Sequence, residues 1–312
     1  MYRVFIDGSA GTTGLRIHER LMNHPDISVV QLPESSRRDP ECRRREMEGS
    51  DITFLCLPDE TSREMAGAAG SRTRLIDTST AFRTDPHWLY GFPELSTRLR
   101  SSLSKADRVS VPGCHATGYI SLVFPLVKSG VLGSDALISC TSLTGYSGGG
   151  RQMIAECTAD DRPDSLSGAR IYAISQCHKH LPEMTRYSNL DHPPVFMPVI
   201  ADCYAGMVTS VPLHLSQLNG IGTAHDLCRV YQDFYRDSAT ILVDHLDDSE
   251  RMLPVNEMAG FDSMRLSVLG NDERMTVTAS FDNLGKGSSG TAIQCMNLML
   301  GLPETTGLRL MT

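Results

Sequence analysis

The stretch FIDGSAGTTGLRI, residues 5–17, constrains the fold most. An apolar, β-rich run reaches Gly8, Gly11 and Gly14 and then gives way at once to a sequence with helical spacing. Glycines between a strand and a helix let the backbone turn tightly and gather free amides at the positive end of the helix dipole. Such a place suits a pyrophosphate. Gly8, Ser9, Ala10, Gly11, Thr12, Thr13 and Gly14 are therefore expected to cradle a dinucleotide. The spacing is GxxGxxG rather than the commoner GxGxxG, and its position directly after the first strand gives it weight.

A turn of this kind belongs to a parallel sheet, and the residues around it alternate accordingly. YRVFID (2–7), ISVVQL (27–32), DITFLCLP (51–58) and RLIDTST (74–80) read as strands, with GLRIHERLMNH and TSREMAGAAG as helices between them. After residue 113 the texture changes. ALISCTSLTGY (136–146), VFMPVIADC (195–203), MVTSVPLHL (207–215), TILVDHL (240–246), MRLSVLG (264–270) and RMTVTASF (274–281) are strand-like with few helices between them. That pattern predicts an α+β domain on an antiparallel or mixed sheet, with TAHDLCRVYQDFYRDS as its clearest amphipathic helix. The chain is thus expected to be α/β, with a Rossmann-type parallel-sheet domain over 1–113 and a catalytic, substrate-binding and oligomerisation domain over 114–285. A helix is expected again over about 286–312.

The segment after the second strand faces the adenosine ribose in such folds, and here it reads LPESSRRDP. Ser35, Ser36, Arg37 and Arg38 suit a 2′-phosphate, whereas Glu34 suits a free hydroxyl; the balance favours NADP over NAD.

In SVPGCHATGYISLVFPLV (110–127), Cys114 follows a Pro-Gly turn and opens a helical run at the domain junction. A thiol at a helix start is favoured as thiolate, and its pKa can fall well below about 8.5, so Cys114 is the expected nucleophile. Cys56 and Cys140 lie inside strand-like runs and read as packing. A nucleophilic cysteine needs an imidazole, and SQCHKHLPEMTRY supplies His178 and His180, with Glu183 three residues on as an acceptor. No further ligand cluster supports a zinc reading of this pair, so no metal is expected. Ser147 and Arg151, in TGYSGGGRQ, lie in what reads as a flexible loop, either wrapping an anionic substrate or simply connecting. Lys286 sits among glycines that miss the Walker A spacing.

A formal charge of −8 and a pI near 5.7 exclude a nucleic-acid or acidic-membrane surface as the main partner. The basic run Arg43 to Arg45 is flanked by Glu41, Glu46 and Glu48 and reads as a solvated helix face. No segment approaches the roughly 18 apolar residues of a membrane span. Nine cysteines without a CxxC, in a chain that opens directly into a strand, point to a reducing, cytoplasmic setting.

Seven motifs, GSAGTTG, FLCLPDETS, DTSTAFR, YGFPEL, PGCHATG, HKHLPEM and NLGKGSSGTAIQ, occur in family order over essentially the whole chain. Together they resemble the short-form N-acetyl-γ-glutamyl-phosphate reductases of arginine biosynthesis, within the wider aspartate-semialdehyde dehydrogenase group. The resemblance implies NADPH-dependent reduction of an acyl phosphate through a thioacyl-cysteine, with phosphate released. It implies Cys114 as nucleophile and the acid/base histidine at His180, with His178 close behind. It also implies a homo-oligomer, a final helix returning to the nucleotide domain, and Asn283, Gly285 and Lys286 near the cofactor. Arg83 and Arg151 become candidates for the phosphate or the substrate carboxylate. The family usually has Tyr after the cysteine, often followed by Pro; here His115 and Ala116 stand there, which places another imidazole beside the thiol. Another acyl phosphate, such as aspartyl phosphate, is the alternative substrate. A non-catalytic dinucleotide sensor is disfavoured by the thiol, the HxHxxE stretch and Lys286, and a cysteine hydrolase would leave the glycine turn unexplained.

Overall fold

The structure, a computed structural model, describes residues 1–245 and 252–311. It divides into two compact units, residues 1–113 with 288–308 and residues 114–287 with 309–312.

In the first unit, β1 (Tyr2–Asp7), α1 (Thr12–Leu21), β2 (Ile27–Val30), α2 (Pro40–Glu48), β3 (Ile52–Leu55), α3 (Asp59–Ala68), β4 (Leu75–Asp77), β5 (Leu89–Tyr90), α4 (Thr97–Leu103) and β6 (Arg108–Ser110) build a parallel sheet of order β2-β1-β3-β4-β6-β5. The order turns back between β1 and β3, and ligands of such sheets bind beyond the carboxyl ends of the strands at that point. The glycine turn leaves β1 there. Its close fit explains the glycines: Gly8 has φ +88°, and a Cβ on it would stand 2.2 Å from the Cys56 carbonyl oxygen after β3.

Val4, Ile6, Ile52, Phe54, Ile76 and Val109 alternate onto one apolar face, covered by α1 and by the last helix, Gly290–Leu300. That helix has almost no exposed side, as a helix enclosed by its own unit should. His24 Nε2 pairs with Asn297 Oδ1 at 3.2 Å, so a histidine beside a proline serves to seat it. The helix stops at Gly301, in the left-handed region at φ +72°, two residues before Pro303, so it is shorter than the expected 286–312. The segment behind it is irregular, and Thr312 lies outside the described residues.

Asp39 caps α2 by accepting the Glu41 amide at 3.0 Å, with Pro40 in the first turn. One residue of its basic run is not solvated: Arg43 is buried and donates through Nε to both oxygens of Asp7 at 3.0 and 2.9 Å. Tertiary pairing thus overrides the reading of Arg43 to Arg45 as a single wet face.

The second unit runs through α5 (Cys114–Lys128), β7 (Ser139–Gly145), α6 (Gly150–Thr158), β8 (Arg170–Ile171), α7 (Leu181–Ser188), β9 (Val195–Ala201), β10 (Met207–His214), α8 (Ala224–Tyr235), β11 (Ile241–His245), β12 (Met264–Gly270) and β13 (Arg274–Phe281). Its sheet has the order β11-β12-β13-β10-β7-β9-β8 and is mixed as expected, since β7 pairs with β9 and β11 with β12 in parallel while the other pairs are antiparallel. The strand expected at 240–246 is β11; Leu246 lies outside the described residues.

α5 is buried nearly all round, from His115 through Val123. It packs so tightly that a Cβ on Gly118 would stand 2.4 Å from Thr209 Oγ1 of β10. Pro125 lacks the N–H that would have satisfied the Ser121 carbonyl one turn earlier. The Tyr235 hydroxyl donates to that carbonyl at 2.9 Å, and Tyr231 donates to Leu122 at 2.7 Å, so α8 satisfies the break in α5.

Candidate active site

α5 begins at Cys114, which puts the half-buried sulfur at the amide end of a fifteen-residue helix, where negative charge is favoured. Burial pushes the Cys56 thiol up to about 12 and raises the Cys140 thiol too, which suits both for packing and neither for attack. Across from Cys114 runs a single π-helical turn, Gly285–Ser289, in which Lys286 is buried. A Cβ on Gly287 in that turn would stand 3.0 Å from the Cys114 Cβ.

Three imidazoles gather beside the thiol's helix. The His115 ring lies 5.4 Å from that of His178 and 5.6 Å from that of His180, and the latter two are 4.7 Å apart. His180 is buried at the start of α7 and its amide donates to His178 Nδ1 at 3.1 Å, which leaves Nε2 as the protonated nitrogen of neutral His178. Glu183 is buried in the first turn of α7. Burial, then the neighbouring His178 and Lys179, push His115 down to about 3, so this ring is neutral throughout the physiological range. His115 Nδ1 meets Ser142 Oγ at 2.8 Å, and its Nε2 meets the Tyr172 hydroxyl at 2.6 Å.

Ser142, Thr209 and Tyr172 belong to this cluster without any spacing in the sequence to reveal them. Ser142 and Thr209 are register partners on β7 and β10, and Tyr172 follows the short β8. The segment beyond Tyr172 is strongly shaped: Ala173 and Gln176 adopt the left-handed region at φ 50° and 58°. The Gln176 side-chain amide donates to Phe196 O at 2.8 Å and accepts from Phe196 N at 2.9 Å, as an added strand residue would.

Ser147 and Asn283, assigned to different ligands from the sequence, lie together: Asn283 Nδ2 donates to Ser147 Oγ at 2.9 Å, and its Oδ1 accepts the Gly206 amide at 2.9 Å. The stretch around Ser147 is a 3₁₀ turn leading into α6 rather than a flexible loop, and Arg151 is exposed on that helix. Gly285 fits where a Cβ would stand 2.2 Å from the Phe261 carbonyl oxygen. Arg83 is buried in the first unit and donates to the carbonyls of Val111 and Thr78 at 3.0 and 3.2 Å.

The glycine turn fits a dinucleotide. A Cβ on Gly14 would stand 2.4 Å from the Gly8 carbonyl oxygen, and among the described residues no side chain caps α1 and the buried Thr12 Oγ1 has no hydrogen-bond partner. Thr13 Oγ1 lies 3.4 Å from Ser288 Oγ in the same unit. Beyond β2, Arg37 pairs with Glu34 at 2.8 Å, which neutralises the carboxylate that argued against a 2′-phosphate. Ser35 and Arg38 are exposed beside that pair.

A parallel-sheet unit with this turn and a mixed-sheet unit with a helix-started thiol and clustered imidazoles fit a dinucleotide-using dehydrogenase. Two family models match, the NAD binding domain of semialdehyde dehydrogenases over residues 3–101 and their dimerisation domain over residues 114–283. N-acetyl-gamma-glutamyl-phosphate reductases of Brucella ovis and Brucella suis biovar 1 are 40% identical over 306 residues, 96% of this chain and 99% of theirs. Aspartate semialdehyde dehydrogenase II of Vibrio cholerae matches with TM-score 0.70 at 14% identity, over 96% of this chain and 98% of that one. Aspartate semialdehyde dehydrogenase of Francisella tularensis matches with TM-score 0.73 at 12% identity, over 96% and 100%; at such identities the likeness is one of fold. The chain belongs to the semialdehyde dehydrogenase family, in its N-acetyl-γ-glutamyl-phosphate reductase branch.

Proposed function

We propose that the protein reduces N-acetyl-γ-glutamyl phosphate to N-acetylglutamate 5-semialdehyde, with release of phosphate, in arginine biosynthesis. The observation that carries this reading is Cys114 at the start of α5, followed by His115, whose ring lies 5.4 and 5.6 Å from those of His178 and His180, in a chain 40% identical to reductases of that name.

The Cys114 sulfur attacks the acyl carbon, the bond from that carbon to the phosphate oxygen breaks, and phosphate leaves with the electron pair. A thioacyl group then stands on Cys114. Gly8 to Gly14, with Ser35, Arg37 and Arg38 for the 2′-phosphate and Asn283, Gly285 and Lys286 as further candidates, would hold NADPH, which would supply the hydride. His180 gives a proton to the carbonyl oxygen of the thioester as that carbon is reduced and takes it back as the carbon–sulfur bond breaks, releasing aldehyde and thiolate. Proton handling of this kind is worth about 10²–10⁴ in rate. His178 and Glu183 hold His180 in place. Ser147 and Arg151 face the substrate's anionic groups, with Arg83 as the third candidate for them.

The protein works as a homo-oligomer, a dimer or tetramer, in the cytoplasm. The matched dimerisation model, the exposure of Val195 and Met197 on one face of β9, and nine free cysteines support this. Among the described residues no helix is long and apolar enough to cross a membrane.

The test runs the reaction in reverse with N-acetylglutamate 5-semialdehyde, phosphate and NADP, and follows reduced cofactor by absorbance. Turnover is expected, and Cys114→Ser should abolish it. Turnover of aspartate semialdehyde in place of the acetylated substrate overturns the assignment of substrate; an active Cys114→Ser protein overturns the nucleophile.

A further inference from the structure

The loop after β2 holds a carboxylate and two guanidinium groups that are not equally engaged. Pro33 O accepts the amides of Ser36 and Arg37, both at 3.0 Å, so residues 33–37 close a single turn of helical hydrogen bonding with Glu34 and Arg37 on the same side. There Arg37 Nη2 donates to Glu34 Oε1 at 2.8 Å. Arg38, the next residue, is exposed and makes no side-chain hydrogen bond or ion pair among the described residues, and the same holds for Ser35. The other carboxylate of the loop is committed elsewhere: Asp39 accepts the Glu41 amide at 3.0 Å and the Cys42 thiol at 3.3 Å.

The segment that follows the second strand of such a sheet faces the adenosine ribose of a dinucleotide. β2 is the strand beside β1, from which the glycine turn leaves, so Glu34, Arg37 and Arg38 stand where the 2′ position of that ribose comes. NADP carries a phosphate there and NAD a hydroxyl. Guanidinium groups grip a phosphate and a carboxylate repels it, whereas a carboxylate is the acceptor that a hydroxyl needs. This loop carries the groups for both, and Arg37 is already shared with the carboxylate. Both members of the pair are exposed, and an exposed ion pair is worth so little that a phosphate can part it. A hydroxyl gives Arg37 no reason to leave. It keeps Oε1, and Glu34 Oε2, which has no partner among the described residues, is left to accept.

We propose that Glu34 is a specificity-determining residue that competes with the 2′-phosphate for Arg37, and that the protein in consequence binds NAD as a second cofactor beside NADP. The proposal rests on the reading of Gly8 to Gly14 as the dinucleotide cradle. With NADP, Arg37 turns from Glu34 to join Arg38 on the phosphate, and the Ser35 hydroxyl donates alongside. With NAD, the pair stays closed and Glu34 Oε2 accepts the 2′-hydroxyl. No covalent bond changes in either case. The carboxylate thus weakens NADP and strengthens NAD, and the preference between them is narrower than Arg37 and Arg38 alone would make it.

The experiment titrates the full-length protein with NADP and with NAD by calorimetry, at one fixed ionic strength because salt screens surface charges. The wild-type protein is expected to bind both, NADP more tightly. Glu34→Gln keeps the size of an exposed side chain and leaves the fold alone. It should tighten NADP about threefold, the order set by release from an exposed ion pair, and weaken NAD about tenfold, the order set by loss of a charged hydrogen-bond acceptor. Arg38→Ala should weaken NADP about tenfold and leave NAD within about twofold. The two shifts in Glu34→Gln must be opposite. An NADP affinity that does not rise overturns the competition for Arg37, and an NAD affinity that does not fall overturns the contact to the hydroxyl. No binding of NAD to the wild-type protein overturns the proposal outright. Failure of the cradle looks different: a wild-type protein that binds neither cofactor, or a Gly8→Ala protein that binds both unimpaired.

Discussion

The buried groups beside the glycine turn include an ion pair, whereas the buried chain from Thr209 through Ser142 to His115 is neutral. At the carboxyl end of β1, Asp7 faces Arg43, and burial still raises its carboxyl against the pull of that guanidinium. At the end of β4, burial raises Asp77 to about 6, only partly countered by Ser62, Ser79 and Arg83. Beneath the thiol, by contrast, Thr209, Ser142 and a neutral His115 carry no charge. The difference suits the two tasks. A dinucleotide site needs fixed backbone geometry, and buried ions lock it at the cost of desolvation. A thiol that must gain and lose charge is better served by neighbours that orient dipoles and do not titrate with it.

The largest effect that would sharpen this contrast is expected at Gly8. Gly8→Ala puts a Cβ against the Cys56 carbonyl in a left-handed residue, and should weaken NADP binding about 100-fold or more by calorimetric titration. Unchanged affinity would remove the claim that backbone approach carries this site. Next comes Arg43→Ala, which leaves the Asp7 carboxylate buried without its partner and should cost about 3 kcal/mol in denaturant unfolding. A cost within that of an exposed ion pair would mean that the pair is not a lock.

A smaller effect concerns pH. The folded Asp77 carboxyl, at about 6, lies above its ordinary 3.8, so the folded state holds the proton more tightly. Its contribution to stability is therefore greatest below about pH 4 and is lost as pH rises through about 6. Relative to Asp77→Asn, the wild-type protein should lose about 1 kcal/mol per pH unit across that window in unfolding measurements; a constant gap contradicts the assignment. The smallest effect is expected for Gln176→Ala, which removes two hydrogen bonds to Phe196 and should speed amide exchange there with a loss of about 1 kcal/mol.

Much of this molecule is legible in local pattern. β1, β12 and β13 span the residues that their alternating β-rich runs predict, and α5 starts at Cys114 where the Pro-Gly turn ends. Short strands such as β5 and β8, two residues each, carry too few side chains for a period to show. α6 was hidden because two glycines precede it, a third opens it, and its residues bury only Cys157. Arg43 misled for a different reason: its neighbours in sequence are exposed charges, while its partner Asp7 is 36 residues away.

What the sequence determined by itself is whatever depends on near neighbours. A strand, three glycines and a helix specify a phosphate cradle, and a turn followed by a helix specifies where a thiol meets a dipole. Only the tertiary structure decided which groups meet across the sheet. Ser142, Thr209 and Tyr172 come from separate elements, and their hydroxyls reach His115 only because β7 and β10 pair in one register with α5 pressed against them. Hydrogen bonds act over about 3 Å. No spacing along the chain encodes such contacts between distant segments, and the fold alone brings them within that range.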